Sequence, residues 1–318
     1  MAPKNLIIDT DPGIDDSIAI LAAFNCPDKV HIVGMTTIFG NVPTSKATQN
    51  AVRLRELAGK EQVPIAEGAF QTLKGSAKSL YADFVHGQDG FGNTNQPSVK
   101  GVAIATPAAR FIAEMVLAHP GEISILALGP LTNIALAMQY EPRVASHMQE
   151  LVILGGAFFC NGNVNPCAEA NIIGDTEAAD FVLGQSPNIR MVGLDVTHTC
   201  VMYREQMDAL KGQGKYGTFL HQICQFYLQY HREAYQIEAM YLHDPTAFAA
   251  VIAPELFTWK SGAVRVVTEG LACGATIMDL GVKAWNRPNG WMGRPTVKVA
   301  TGVHDEAVVD LIHALLKQ

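Results

Sequence analysis

Four aspartates lie within eight residues near the start of the chain, and no lysine or arginine stands among them. They are Asp9, Asp11, Asp15 and Asp16. Like charges this close repel, and proteins relieve the repulsion by raising a pKa, by using a helix amino terminus or by binding a cation. Capping of a following helix accounts for one carboxylate and leaves the others solvated, whereas a hard, oxygen-preferring metal ion accounts for the whole set.

The residues on either side of this cluster predict the elements that position it. Residues 6–8 are a short apolar run typical of a buried parallel strand, and residues 18–24 have helical spacing. Pro12 and Gly13 turn the chain between them. The carboxylates are therefore expected at the carboxyl end of the strand, where open α/β sheets bind their ligands.

Strand and helix patterns then alternate along the chain. Further strands are predicted at 30–38, 62–66, 122–128, 150–154, 189–196, 264–267 and 296–300. A long polar segment, residues 68–106, has too little periodicity for regular structure. The predicted fold class is α/β: an open, mostly parallel, Rossmann-like sheet covered by helices, with additional helices in the C-terminal third.

Composition limits the possible functions. The 318 residues are 48% hydrophobic and show no compositional break, so one domain over residues 1–318 is expected. The formal charge of -7, without a basic run, argues against nucleic acid as a partner. No stretch is apolar enough for a membrane span or a signal peptide, and the six cysteines form no Cys-x-x-Cys pair. We expect a cytoplasmic protein without a membrane partner.

Four more polar stretches follow predicted strands or open helices. They are Gly40-Asn41, the segment 129–133, the segment 161–171, and His243-Asp244. Together with the motif Asp9-Thr-Asp-Pro-Gly-Ile-Asp-Asp16, they resemble the calcium-dependent nucleoside hydrolases of the inosine-uridine type, in register from residue 5 to about residue 250.

This resemblance implies hydrolysis of the N-glycosidic bond of ribonucleosides to free base and ribose. It implies one Ca²⁺ held by the carboxylates of Asp11, Asp16 and Asp244 and by the Thr132 carbonyl, with room for a water and two substrate hydroxyls. Asp11 is implied as the general base for that water, and His243 as the acid that protonates the departing base.

The resemblance also implies a set of sugar contacts. These are Asp15, Asn41, Asn163, Glu169 and Asn171. His86, Leu154, Tyr235 and Tyr241 are further candidates for the substrate pocket, although a histidine or tyrosine at such positions is also an ordinary core residue and a loop asparagine an ordinary turn former. The family often has methionine at the position of Leu154 and an aromatic residue at that of Ala170, so the preferred base stays open.

Two alternatives remain at this point. Asp9-Thr-Asp11 also resembles the start of Mg²⁺-dependent haloacid-dehalogenase-like phosphatases, with Asp9 as nucleophile, but Gly13 stands where that pattern expects Thr or Val. The other is a non-catalytic, Ca²⁺-dependent nucleoside-binding protein. The resemblance further implies a small-molecule nucleoside substrate and a homo-oligomer, with a dimer favoured over a tetramer.

Overall fold

The apolar run that begins after Lys4 forms a central strand of a large sheet. The computed structural model describes residues 2–78, 80–186 and 188–318. The strands are β1 (Lys4–Thr10), β2 (Val30–Thr37), β3 (Ile65–Glu67), β4 (Ile123–Ala127), β5 (Glu150–Leu154), β6 (Ile189–Val192), β7 (Val201–Tyr203), β8 (Ala239–Tyr241), β9 (Phe257–Gly262), β10 (Val264–Val266), β11 (Thr276–Met278) and β12 (Val297–Val303). The helices are α1 (Ile14–Phe24), α2 (Thr44–Ala58), α3 (Asp83–His86), α4 (Ala108–Ala118), α5 (Thr132–Tyr140), α6 (Val144–His147), α7 (Ala170–Gly174), α8 (Thr176–Leu183), α9 (Leu194–Thr197), α10 (Arg204–Asp208), α11 (Gly217–Tyr235), α12 (His243–Ile252) and α13 (Asp305–Leu316).

Eight strands form the main sheet in the order β3-β2-β1-β4-β5-β6-β12-β9. Neighbours are parallel except for β9, which runs antiparallel to β12. The chain builds outward from β1 to β3 and then returns to place β4 on the other side of β1. The crevice between the carboxyl ends of β1 and β4 is therefore the topological switch point, the usual ligand position in such folds.

Both faces of β1 are covered, which explains its unbroken apolar sequence. Leu6 and Ile8 pack into one core with helices α1 and α12, while Ile7 packs into a second core on the opposite face. All three are fully buried. Burial of each such side chain contributes about 1.5–3 kcal/mol, so the strand that carries the aspartates is a rigid support.

The predicted α/β architecture is confirmed, with corrections at several boundaries. Helix α1 begins at Ile14 instead of residue 18, because the side chain of Asp16 accepts a hydrogen bond from the Gly13 N–H and starts the helix. Strand β6 ends at Val192, and Asp195 lies in helix α9 instead of ending the strand. The Asp195 carboxylate there accepts the N–H groups of residues 158 and 159, which secures the loop after β5.

The C-terminal third differs most from the prediction. Residues 264–266 pair with β11 in a separate hairpin instead of joining the main sheet, and the sequence did not predict β9 or the β7–β8 pair. The 19-residue helix α11 and the helix α12 pack on α1. They bring side chains from the last third of the chain to the carboxyl end of β1. Among the described residues, no helix combines the length and apolar character needed to span a bilayer.

Candidate active site

The aspartate cluster lies in the switch-point crevice, and two glycines make room for it. A Cβ atom at Gly40, after β2, would lie 1.8 Å from Oδ2 of Asp11. A Cβ atom at Gly129, after β4, would lie 2.6 Å from Oδ1 of the same carboxylate. Both distances are far below van der Waals contact, so these two glycines are required where Asp11 is seated between the strand ends.

Asp9 has a structural role in this cluster. It is fully buried on β1, and its Oδ1 accepts hydrogen bonds from the Thr36 hydroxyl at 2.5 Å and the Asn133 amide at 2.8 Å. Burial raises its pKa to about 7, against the opposing effect of the two hydrogen bonds. Asp9 thereby ties β1 to β2 and α5. A nucleophile must reach its substrate, and this enclosed carboxylate does not.

Three other aspartates converge at one point. Oxygens of Asp15, Asp16 and Asp244 lie within 4.8 Å of one another, and all three side chains are buried. Burial, and then the charge of its neighbour Asp16, raise the pKa of Asp15 to about 7. Burial likewise raises the pKa of Asp244 well above its usual range, followed by the charges of Asp15 and Asp16. A divalent cation would remove this repulsion.

Hydrogen bonds orient the cluster and leave specific oxygens free. Asp16 accepts from the Thr10 hydroxyl at 2.5 Å, while the Asn41 side chain donates to Asp16 at 2.9 Å and the Asn41 backbone N–H to Oδ2 of Asp11 at 2.5 Å. Within the described part of the chain, Oδ1 of Asp11 and Oδ1 of Asp15 are buried without a hydrogen-bond partner, as is Oδ2 of the enclosed Asp9. Buried unpartnered carboxylate oxygens beside an all-oxygen cluster fit a hard divalent cation.

The predicted metal ligands fall into two groups. Asp16 and Asp244 belong to the convergent cluster, whose third member is Asp15 instead of Asp11. Asp11 is fully buried beside it and is linked to Asp16 through Asn41. The Thr132 hydroxyl donates to Asp175 at 2.7 Å, so that hydroxyl is already engaged within the protein.

A cavity opens above the cluster. It is lined by many of the predicted site residues, namely Asp15, Asn41, His86, Leu154, Asn163, Glu169, Asn171, Tyr235, His243 and Asp244. Tyr241 is not among its lining residues; its ring packs behind, 4.7 Å from that of His198 and 5.6 Å from that of His243.

The loop after β5 and helix α7 supply the polar wall. Glu169 caps α7, accepting from the N–H of Asn171 at 2.8 Å and of Ile172 at 3.0 Å. The Asn171 amide donates to the carbonyl of Leu128 at 2.7 Å, and Asn163 accepts from the N–H of residue 170 at 3.0 Å. One end of each amide is therefore held by the backbone, and the other end is available to a polar ligand.

Histidines and tyrosines form the opposite wall. Burial lowers the pKa of His86 to about 3, and its Nδ1 accepts from the Ile14 N–H at 3.1 Å. Burial also lowers the pKa of His231 to about 4, and its ring stacks on Tyr235 at 5.5 Å. His243 has its pKa held well below the usual range by burial and then by the neighbouring histidines. These rings are neutral at pH 7.

Several residues at the site were not predicted from the sequence. Tyr227 donates to Asp15 at 3.3 Å, and Phe84 and Val85 line the cavity from α3. The side chain of Lys78 donates to the Gly40 carbonyl at 2.8 Å. Burial and then the charge of Asp16 raise the pKa of Asp11 well above its usual range, and the charge of Lys78 opposes this shift. Tyr227, His231 and Tyr235 are spaced four apart on α11, a helical-face signal that the sequence did contain.

Comparison with known proteins decides the family. The model for the inosine-uridine preferring nucleoside hydrolases matches residues 6–310. The chain belongs to this family. It hydrolyses the N-glycosidic bond of ribonucleosides, as the sequence predicted, and this hydrolase family is metal-dependent. The phosphatase alternative, which used the enclosed Asp9 as nucleophile, is therefore wrong, and so is the non-catalytic one.

Three proteins illustrate how far the similarity to this nucleoside hydrolase extends. Probable uridine nucleosidase 1 of Oryza sativa subsp. japonica is 48% identical over 312 residues, covering 98% of this chain and 96% of the relative. Uridine nucleosidase 1 of Arabidopsis thaliana is 47% identical, with 98% and 93% covered. The solved structure of the plant nucleoside hydrolase PpNRh1 superposes with a TM-score of 0.97 at 45% identity, covering 99% of both chains.

Proposed function

We propose that this nucleoside hydrolase is calcium-dependent and prefers pyrimidine ribonucleosides, with uridine as its best substrate. The observation that carries the calcium assignment is the pair of unpartnered buried oxygens on Asp11 and Asp15, next to the carboxylates of Asp16 and Asp244. The choice of uridine is supported by the two relatives named as uridine nucleosidases.

At the metal end, the proposed ligands are the carboxylates of Asp11, Asp16 and Asp244 and the Thr132 carbonyl, with Asp15 in the same cluster. When bound, calcium supplies a Lewis acid that orients the ribose diol and favours deprotonation of a water. Asp11 is the general base, and its carboxylate takes the proton from that water.

The polar wall is proposed to hold the ribose. Asp15, Asn41, Asn163, Glu169 and Asn171 line the same cavity and offer acceptors and amide donors to the sugar hydroxyls. The buried carboxylate of Glu169 faces a sugar that becomes cationic as the glycosidic bond breaks. A fixed negative charge there stabilises the oxocarbenium-like transition state more than the ground state.

At the opposite end, His86, Leu154, Tyr235 and His243 are proposed to contact the nucleobase, because all four line the cavity. Tyr241 supports the His243 ring from behind. A neutral His243 stabilises the departing base through its ring N–H, a role that does not need an imidazolium ion.

The biological setting belongs to the same proposal. We place this hydrolase, as a single catalytic domain, in cytoplasmic nucleoside catabolism and salvage of purines and pyrimidines, and we expect it to work as a homodimer. Analytical ultracentrifugation at micromolar concentration should give twice the 34.2 kDa mass of one chain, and a monomer mass would contradict the dimer.

A nucleoside panel tests the substrate proposal. Release of free base and ribose should be measured for uridine, cytidine, inosine and adenosine, with calcium and after chelation. Uridine should give the highest kcat/KM and chelation should abolish release. A higher kcat/KM for inosine would overturn the pyrimidine preference but leave the reaction class intact, and activity in verified metal-free protein would overturn the metal assignment.

A further inference from the structure

A part-buried hydrogen bond between Thr197 and His243 joins two helices at the cavity wall. Oγ1 of Thr197 lies 2.7 Å from Nδ1 of His243. Thr197 is fully buried at the end of α9, which follows strand β6, and His243 is the first residue of α12. The bond therefore holds a ring that lines the cavity from an element at a different strand end.

The direction of this hydrogen bond follows from the partners that each group has. Within the described residues, the Thr197 hydroxyl has no hydrogen-bond partner other than Nδ1. A buried hydroxyl whose hydrogen lacks an acceptor is costly, so Thr197 donates and Nδ1 accepts. A ring nitrogen that accepts a hydrogen bond carries no hydrogen, so the proton of the His243 ring resides on Nε2.

The neighbouring rings fix the plane of His243 and leave Nε2 unused. His198 packs edge-on at 5.5 Å between ring centroids, and Tyr241 lies at 5.6 Å. Within the described residues, Nε2 of His243 has no hydrogen-bond partner. His231 contrasts with it, since its Nδ1 donates to the Tyr227 carbonyl at 2.8 Å and its Nε2 accepts from the Tyr241 N–H at 3.2 Å. His243 thus differs from His231 in offering a free ring N–H to the cavity.

We propose that Thr197 is a positioning residue that holds His243 in the Nε2–H tautomer, aimed at the nucleobase. This rests on the proposed function and deepens it. As the glycosidic bond breaks, its electron pair passes to the base, and the hydrogen bond from Nε2 to an acceptor atom of that base strengthens. His243 keeps its proton. The attacking water supplies its oxygen to the sugar carbon and one proton to the Asp11 carboxylate; Asp11 then releases this proton to solvent, and the departed base takes one proton from solvent, so the reaction balances.

The matched variants Thr197→Val and Thr197→Ser test this role. Valine keeps the shape and removes the hydroxyl, so kcat for uridine should fall about tenfold while KM changes less than about twofold. Serine retains the hydroxyl and should stay within about threefold of the wild-type kcat. In a His243→Ala background, Thr197→Val should cause no further loss.

The outcomes separate this inference from the proposed function. An unchanged kcat in Thr197→Val, or an equal loss in both backgrounds, would overturn the positioning role. Histidine ¹⁵N NMR of the wild-type protein, with His243 assigned by comparison with His243→Ala, gives a readout independent of turnover and of any folding defect in the variants. An acceptor-type Nδ1 supports the proposal, and a protonated Nδ1 overturns it. Failure of the wild type to cleave any nucleoside would instead count against the proposed function.

Discussion

The two ends of the active-site cavity are built in different ways. The metal end comes mainly from the segments directly after two neighbouring strands, with Asp11 and Asp16 following β1 and Asn41 following β2. Asp244 joins them from the start of α12. Short hydrogen bonds and two closely packed glycines hold these groups in place. The base end comes from α3 and α11, where Phe84 and Tyr230 meet edge-on with ring centroids 6.0 Å apart.

This contrast separates reaction from specificity. The cluster carboxylates are buried just after β1 and in the first turns of α1 and α12, elements that pack into the apolar core, so their geometry is fixed by the fold. Phe84 is 58% exposed on a four-residue helix, and its position depends on a few ring contacts. We infer that changes at the metal end abolish the reaction, whereas changes at the base end alter which nucleoside is preferred.

The largest effect is expected at the convergent carboxylates. Asp16→Asn removes one charge from the cluster, so calcium affinity and kcat/KM should each fall by about 10³-fold or more, beyond the 10–100-fold typical of residues outside the ligand shell. Calorimetric titration with Ca²⁺ and base-release kinetics check this. Asp9→Asn is the matched control, because Asp9 is a buried neighbour outside the cluster. The calcium affinity of this variant should stay within about threefold of the wild-type value.

Packing around Asp11 gives the next largest effect. Gly40→Ala would place a methyl group 1.8 Å from the Asp11 carboxylate, and a displacement of about 1 Å at a catalytic group costs about 10²-fold in rate. The loss should appear in kcat while the protein stays folded by circular dichroism. Gly302→Ala is the control, because among the residues that the structure describes the added methyl group meets only Thr258, at 3.4 Å, and a comparable loss there would contradict the assignment.

Calcium binding should weaken at low pH. The pKa of Asp15 is raised from 3.8 to about 7 in the folded, metal-free protein, so below pH 7 the ion must displace a proton. The dissociation constant should increase about tenfold per pH unit below 7 for each proton displaced, and calcium should raise Tm more at pH 8 than at pH 6. Calorimetry in two buffers of different ionisation enthalpy measures the proton release. A pH-independent constant would contradict carboxylate ligation.

A smaller effect is expected from the aromatic contact at the base end. Phe84→Ala removes the edge-on partner of Tyr230, a contact of about 0.5–1.5 kcal/mol, so KM should rise about 2–12-fold. Calcium affinity should not change. Measuring KM for uridine and inosine shows whether the two substrates are affected unequally, and a parallel loss of calcium binding would break the proposed separation of the two ends.

The smallest effect is expected at Tyr241. Its ring packs behind His198 and His243 instead of lining the cavity, so Tyr241→Phe retains the contacts that matter. Both kcat and KM should stay within about twofold of wild type. A tenfold rise in KM would instead support the direct contact between Tyr241 and the substrate that was predicted from the sequence.

The sequence predicted site residues correctly where each residue is adjacent in the chain to the strand or helix that positions it. The apolar residues 6–8 and the following carboxylates predicted a strand and a site at its end, and the structure has both. The individual roles of those carboxylates were not predictable, because they depend on partners far along the chain. Asp9 is enclosed by Thr36 and Asn133, and no local pattern records those contacts.

The base end was harder to predict for the same reason. Thr197 and His243 are 46 residues apart in the sequence. A strand was predicted through residue 196, so the short helix α9, which places Thr197 beside His243, was not predicted. Tyr227 and His231 follow helical spacing, but that spacing is equally typical of a core face. Only the packing of α11 on α1 distinguishes a cavity wall from a core.

The most direct test of the account is to follow calcium occupancy and uridine hydrolysis in the same sample. Metal-free protein should release no uracil, and activity should return in proportion to bound calcium, saturating at one ion per chain. The Asp16→Asn variant should show neither binding nor recovery at the same calcium concentration. Full uracil release by protein shown to contain no divalent metal would contradict the central claim that a cation at the aspartate cluster makes this cavity a hydrolase.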